Sequence, residues 1–255
     1  MSHPRSAGFV DLRGKTAALG TMHGKEQVIA PVLRDALDVR VSLAEGLDTD
    51  RFGTFTRDRE RAGTQLEAAR HKAWAALERV PAAALGVASE GSFGPHPEVP
   101  FLVIGVELVL LVDRASGLEI VGRDVTLEPR YAQRVVRRLD EVVIFADQAG
   151  LPEHGAVVMG VRGGGAQDEA GDWGRGLHKG LHTVTALVDA ARPLLERDGR
   201  AWLESDMRAH HNPTRMKAIA RASADLASHA LHQCPRCARP GFAAAESVPG
   251  LPCEL

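Results

Sequence analysis

Aromatic residues are scarce: seven Phe, three Trp and one Tyr make up 4% of 255 residues. A base-stacking platform needs exposed rings in series, so binding of single-stranded nucleic acid by stacking is not expected, and the core must be aliphatic. Cysteine is scarce as well. Three Cys is an odd number with no secretory leader ahead of it, so a disulfide framework is not expected. Long apolar runs are missing. The longest, residues 101–112, is interrupted by Glu107 and falls short of the roughly 20 residues that span a bilayer. An excess of one charge is missing too: 31 Lys and Arg face 33 Asp and Glu, for a net charge of −2. So balanced a chain does not coat nucleic acid or anionic lipid by electrostatics alone. These absences lead us to expect a cytoplasmic protein with no membrane partner and no nucleic-acid partner, a homodimer being left open.

What is present is the make-up of a globular α/β domain, with 44% hydrophobic and 25% charged residues. The spacing predicts a strand over 16–20, a loop His23-Gly24-Lys25-Glu26, a helix through Val28, Ile29, Val32, Leu33, Ala36 and Leu37, and a strand over 39–43. That β–loop–α–β order builds parallel sheets. A polar loop over 45–63 leads to a helix opened by the capping box Thr64-Gln65-Leu66-Glu67. A buried strand over 85–89 runs into a Gly- and Pro-rich loop over 89–97, and strands over 101–112 and 118–125 read as an antiparallel hairpin. Beyond it we expect a helix over 134–149, a strand over 155–161 and a Gly-rich polar loop over 163–176. Next come a helix over 178–196 that Pro193 kinks or ends, a short strand over 201–204, and a helix over 213–231. Asn212 is the N-cap of that last helix and Pro213 its first residue. The expected fold is therefore α/β, a mixed central sheet flanked by helices over 16–231, between an N-terminal tail (1–15) and a small Cys-rich tail (232–255).

Five segments carry chemistry. His23, Gly24 and Lys25 lie between a strand and a helix, where a Gly turn lets the backbone approach a ligand, helix N–H groups are free and Lys25 offers a cation to phosphate; a plain βα turn accounts for them equally. Glu67 is explained by capping, although a capping carboxylate that faces a cleft is a Mg²⁺ ligand. Ser89, Glu90, Ser92 and His96 follow a strand end, where open α/β sheets bind ligands. Arg208, His210, Asn212 and Arg215 gather around a helix start: the Arg forks suit phosphate or carboxylate, and His210 suits acid–base work or contact with a base edge. Cys234 and Cys237 form a C-P-x-C knuckle that presents two thiolates to Zn²⁺, with Cys253 sixteen residues on. A ribbon needs a second C-x-x-C, so the tail reads as an incomplete zinc ribbon, with His229 or His232 as candidates for the missing ligand.

Together His23-Gly24-Lys25-Glu26, the run over 48–55, the run over 89–97, the run over 206–216 and Cys234-Pro235-Arg236-Cys237 resemble a family of uncharacterised bacterial proteins, whose members tend to end in two full Cys knuckles. More distantly, the order strand, Gly-Lys loop, helix, strand, loop, Glu-bearing helix, strand with an acidic Gly loop and hairpin is similar to the inosine-triphosphatase-like and Maf-like nucleotide pyrophosphatases. That likeness implies that Lys25 holds phosphate, Glu67 and Glu90 handle Mg²⁺ and water, and the 208–215 segment recognises the base. Met22 stands where that group usually has Asn, and Glu90 stands alone where many members have two acids. The expectation is a metal-dependent hydrolase acting on a phosphorylated small molecule, a nucleoside triphosphate by class. Lys25, Glu90 and His210 would be catalytic, with Mg²⁺ on Glu67 and Glu90 and structural Zn²⁺ on Cys234, Cys237 and Cys253. The alternative is a non-catalytic nucleotide- or nucleic-acid-binding protein with a zinc-binding tail.

Overall fold

A computed structural model describes residues 10–49, 63–96, 98–162, 172–173, 176–244 and 250. Small aliphatic residues open the fold: Ala17, Ala18 and Leu19 are fully buried in β1 (Thr16–Gly20). A turn at Gly24, whose φ of 70° is one that glycine adopts without a Cβ penalty, leads into α1 (Glu26–Leu37). Ile29, Leu33 and Leu37 form its buried stripe at four-residue spacing. The chain returns as β2 (Arg40–Leu43), parallel to β1. Then α2 (Gln65–Arg79) starts at Thr64, whose hydroxyl accepts the Glu67 N–H while the Glu67 carboxylate accepts the Thr64 N–H, completing the expected capping box.

On the other side of β1 lies β3 (Leu85–Pro95), also parallel to it. The hairpin of β4 (Val103–Asp113) and β5 (Glu119–Thr126) completes a mixed sheet in the order β2-β1-β3-β4-β5. The expected loop over 89–97 is corrected here: β3 continues to Pro95, because β4 pairs with all eleven of its residues, from Leu85 opposite Asp113 to Pro95 opposite Val103. On its other edge β1 ends opposite Ala88. From Ser89 onward β3 therefore has, among the described residues, a strand partner on one side only, and side chains reach this stretch instead: Lys25 at Ser89 and Gln65 at Glu90. Helix α2 packs on one face of this sheet; α1 and α5 (Pro213–Leu231) share the other.

A second sheet was not anticipated. It joins β6 (Gln133–Val136), β10 (Ala201–Ser205), β7 (Ala156–Arg162) and β8 (Asp172–Trp173) in that order, with β9 (His178–Leu181) also on β7. Helices α3 (Leu139–Ala149) and α4 (Val184–Asp198) cover it. Both long helices expected in this region are thus shorter, each preceded by a strand. Residues 133–136 pair with β10, and the Glu141 carboxylate accepts the N–H groups of Arg137 and Arg138, which sets the start of α3 at Leu139. Thr183 caps α4 through the Ala186 N–H, and that helix runs past Pro193 to Asp198. The core is aliphatic as expected. Leu19, Ile29, Leu33, Val87, Val109, Leu111, Ile219 and Leu226 fill the first sheet's α1/α5 face, while Phe145, Val158, Leu187 and Leu203 fill a separate core on the second sheet. Among the described residues, no helix is long and apolar enough to cross a membrane.

Candidate functional site

Where β1 ends, the chain turns at Gly24 and buries the whole Lys25 side chain at the start of α1 (7% exposed). Its Nζ donates to the Ser89 hydroxyl at 3.0 Å and to the Ser89 carbonyl at 3.4 Å. Burial drives the Lys25 pKa down to about 7, with Arg215 and Lys72 pushing the same way against Glu107 and Glu90. Alternation along β3 and β4 splits the carboxylates. Glu90 pairs with Lys72 of α2, and the Gln65 amide of the same helix donates to the Glu90 carbonyl at 2.8 Å. Glu107 lies opposite Gly91 in register and pairs with Arg215 of α5, whose Nε donates to Oε1 at 2.5 Å. Burial raises the Glu107 carboxyl above its usual range, against the pull of Arg215 and Lys25. Its Oε2 is buried and has no hydrogen-bond partner among the described residues.

Gly91 makes room for this pair. A Cβ there would stand 2.7 Å from Arg215 Nη2 and 2.8 Å from Glu107 Oε1. Phe93, two residues along the same face of β3, lies 5.5 Å beneath the guanidinium. Asn212 fixes the root of Arg215 by accepting its N–H at 3.0 Å, and the Arg215 guanidinium also donates to the Met207 carbonyl.

A second group sits where β10 crosses to α5. Asp206, 1% exposed, accepts from Arg208 through the backbone N–H, Nε and Nη2, and from the Gly180 N–H at 3.0 Å. Burial pushes its pKa up, but the bonds from Arg208 outweigh that and hold it below the usual range. The short 3₁₀ turn Ala209–His211 follows. Its His210 ring stacks on His23 at 5.1 Å, which ties the Lys25 turn to this segment. Burial, then Lys25 and His210, lowers His23 to about 3; burial and Arg208 lower His210. His211 contacts His182, the residue after β9, with ring nitrogens 2.8 Å apart.

Of the residues expected from sequence, His23, Gly24, Lys25, Ser89, Glu90, Arg208, His210, Asn212 and Arg215 gather at the strand ends and the segment before α5. Three do not join them. Glu67 is exposed and occupied in capping α2; Ser92 is exposed on β3; the His96 ring accepts the Glu98 N–H at 3.1 Å. Lys72, Glu107, His182 and His211 were not nominated. A signal existed for Glu107, the one carboxylate inside the apolar run over 101–112. In the tail, Cys234 and Cys237 stand in a tight turn with Ala238 at φ 57°, closed by the Ala238 N–H to the Cys234 carbonyl. Bonds from the N–H groups of Cys237 and Arg236 lower the Cys234 thiol pKa, which favours thiolate. Cys253 lies outside the described residues. Among the described residues, no three His, Cys, Asp or Glu side chains group as a metal site.

The model of a domain family matches residues 73–255. The chain belongs to that family, the domain of unknown function DUF6671. The DUF6671 span takes in β3, β4, the 206–215 segment and the Cys knuckle, and begins after Lys25 and Lys72. No curated protein matches the chain.

Proposed function

We propose that the protein binds a phosphorylated small molecule, a nucleoside triphosphate by class, at the ends of β1 and β3 and hydrolyses it as a pyrophosphatase. One observation carries this reading: Lys25 is buried at a helix start and hydrogen-bonds only Ser89, with no carboxylate in an ion pair to it among the described residues. Among the described residues, the buried cations Lys25, Lys72 and Arg215 are balanced by two neighbouring buried carboxylates, Glu90 and Glu107. A phosphate at Lys25 would neutralise the surplus cation and lie at the positive end of the α1 dipole. The mixed sheet with Lys25 at its strand ends, followed by a late Arg- and His-bearing segment before α5, supports an inosine-triphosphatase-like architecture. On that architecture the phosphates lie between Lys25 and Arg208 and the base lies toward His210. In hydrolysis, water attacks phosphorus while Lys25 and Arg208 stabilise the charge that builds on the phosphate oxygens.

The residues nominated for resident Mg²⁺ do not fit it, since Glu67 is occupied in capping and Glu90 is paired with Lys72. We therefore treat the divalent cation as part of the substrate, the counter-ion of the triphosphate. For Zn²⁺ the fit is better: the Cys234–Cys237 turn presents two thiols, and Cys253 is the proposed third ligand. Zinc content per chain, and its loss in Cys234→Ser, tests that assignment.

The activity test is a panel of nucleoside triphosphates with Mg²⁺. We expect pyrophosphate release and a rise in Tm with at least one of them, both lost in Lys25→Met. Absence of both with every nucleotide overturns the proposal.

A further inference from the structure

Three segments meet around the His211 ring. Gly180 and His182 come from β9 and its end, Pro152 from the stretch before β7 behind His182, and Arg208 and Asp206 from the crossing segment. The carbonyl of Pro152 lies 3.0 Å from His182 Nδ1. A carbonyl only accepts, so His182 Nδ1 carries a hydrogen. With His182 neutral, its Nε2 is then a bare acceptor, and His211 Nδ1, 2.8 Å away, must be the donor. The proton is thus absent from His211 Nε2. Among the described residues nothing bonds that nitrogen, and it faces space that only glycine leaves empty: a Cβ on Gly180, at φ 70°, would stand 3.1 Å from His211 Nε2 and 3.4 Å from Arg208 Nη2. A guanidinium and a bare imidazole nitrogen therefore border the same gap.

We propose that His211 is the proton acceptor of the site, with His182 and the Pro152 carbonyl holding it in the tautomer that leaves Nε2 bare. The assignment rests on the phosphohydrolase reading above. In the step, the water oxygen bonds to phosphorus and its proton passes to His211 Nε2. The anhydride P–O bond breaks, and pyrophosphate leaves with that electron pair. The groups around His211 keep it ready for this role. Burial, opposed by Asp206 and aided by His210, Arg208 and His182, lowers it to about 4, so it is a neutral base at neutral pH. Among the described residues, His182 acts through the hydrogen it accepts from His211 Nδ1 rather than at the reacting atoms, so it is a positioning residue.

Two kinds of measurement test this. Ring-nitrogen NMR of the full chain labelled with ¹⁵N-histidine, from about pH 5 to about pH 8, is expected to show His211 neutral with hydrogen on Nδ1. Diethyl pyrocarbonate, which needs a bare ring nitrogen, should acylate His211, and pyrophosphate should protect it. In turnover, His211→Asn should lower kcat by roughly 10²–10⁴-fold with KM changed only a few-fold. His182→Gln keeps both an acceptor for His211 and a donor for Pro152, so it should retain most of kcat. His182→Leu keeps neither and should behave like His211→Asn. Hydrogen on Nε2, or unchanged kcat in His211→Asn, overturns the proposal. A wild-type protein that hydrolyses no nucleotide overturns the phosphohydrolase reading instead; the spectra and the acylation then decide on their own whether His211 is the site's proton acceptor.

Discussion

An ammonium buried without a carboxylate partner destabilises the folded state by about 1.4 kcal/mol for each unit its pKa falls. Lys25 falls from 10.5 to about 7, burial being the first cause and Arg215 the second. In the unfolded chain it is charged up to the ordinary lysine value, so between about pH 7 and 10.5 the unfolded state holds more protons than the native state. Stability therefore rises with pH across that window, and the penalty is fully present below it. Lys25→Met should raise stability at pH 6 by roughly 1–4 kcal/mol, the range seen when buried ion pairs give way to apolar residues, and the gain should shrink as pH approaches the upper end of the window. Urea unfolding at several pH values measures it. Loss of phosphate binding in the same variant would mark Lys25 as a residue kept for function against stability. Lys25 and Ser89 were legible in the sequence because a Gly-Lys turn and a strand end announce themselves locally. The partnerships of Glu107 with Arg215 and of Glu90 with Lys72 were not, since each joins a strand to a helix that only the packing of the sheet brings against it.

Among the elements, the N-terminus of α2 separates structure from chemistry. Its capping box spends the Glu67 carboxylate on the Thr64 N–H at 2.7 Å, and that bond is the first cause of the lowered Glu67 pKa. Thr64→Ala should therefore cost about 1 kcal/mol of unfolding free energy, measured in urea, while nucleotide affinity and turnover stay at wild-type values. Glu67→Gln, which keeps an acceptor, should cost less and also leave turnover unchanged; a large loss of turnover in Glu67→Gln would return Glu67 to the site. The box was legible because capping is a four-residue pattern. The full length of β3 was not, because Gly, Ser and Pro beyond Ser89 read as a loop, and only pairing with all of β4 makes them sheet. The same holds for β6 and β9, four-residue strands whose partners lie elsewhere in the chain. Local periodicity merged each with the helix that follows it.

For the whole molecule, the two sheets have separate cores and share the segment that carries the candidate chemistry. β10 ends in the second sheet at Ser205 and α5 begins on the first at Pro213, so Asp206, Arg208, His210, His211 and Asn212 lie on the crossing. Bonds hold that crossing on both sides. The Asp206 N–H donates to the Gly155 carbonyl and the Gly155 N–H to the His211 carbonyl, both at 2.8 Å, beside β7; Asn212 and Arg215 tie it to α5 and β4. A ligand that engages Lys25 at one end and Arg208 at the other must therefore restrain both sheets, and its binding free energy adds to the stability of each. In hydrogen exchange, saturating nucleotide should slow the amides of β1 and β3 and, by a similar factor, those of β7 and β10. Protection confined to β1 and β3 would restrict the ligand to the Lys25 turn and remove Arg208 and His211 from the site. Protection across both sheets, lost on the second alone in Arg208→Gln, would place the ligand across the crossing segment.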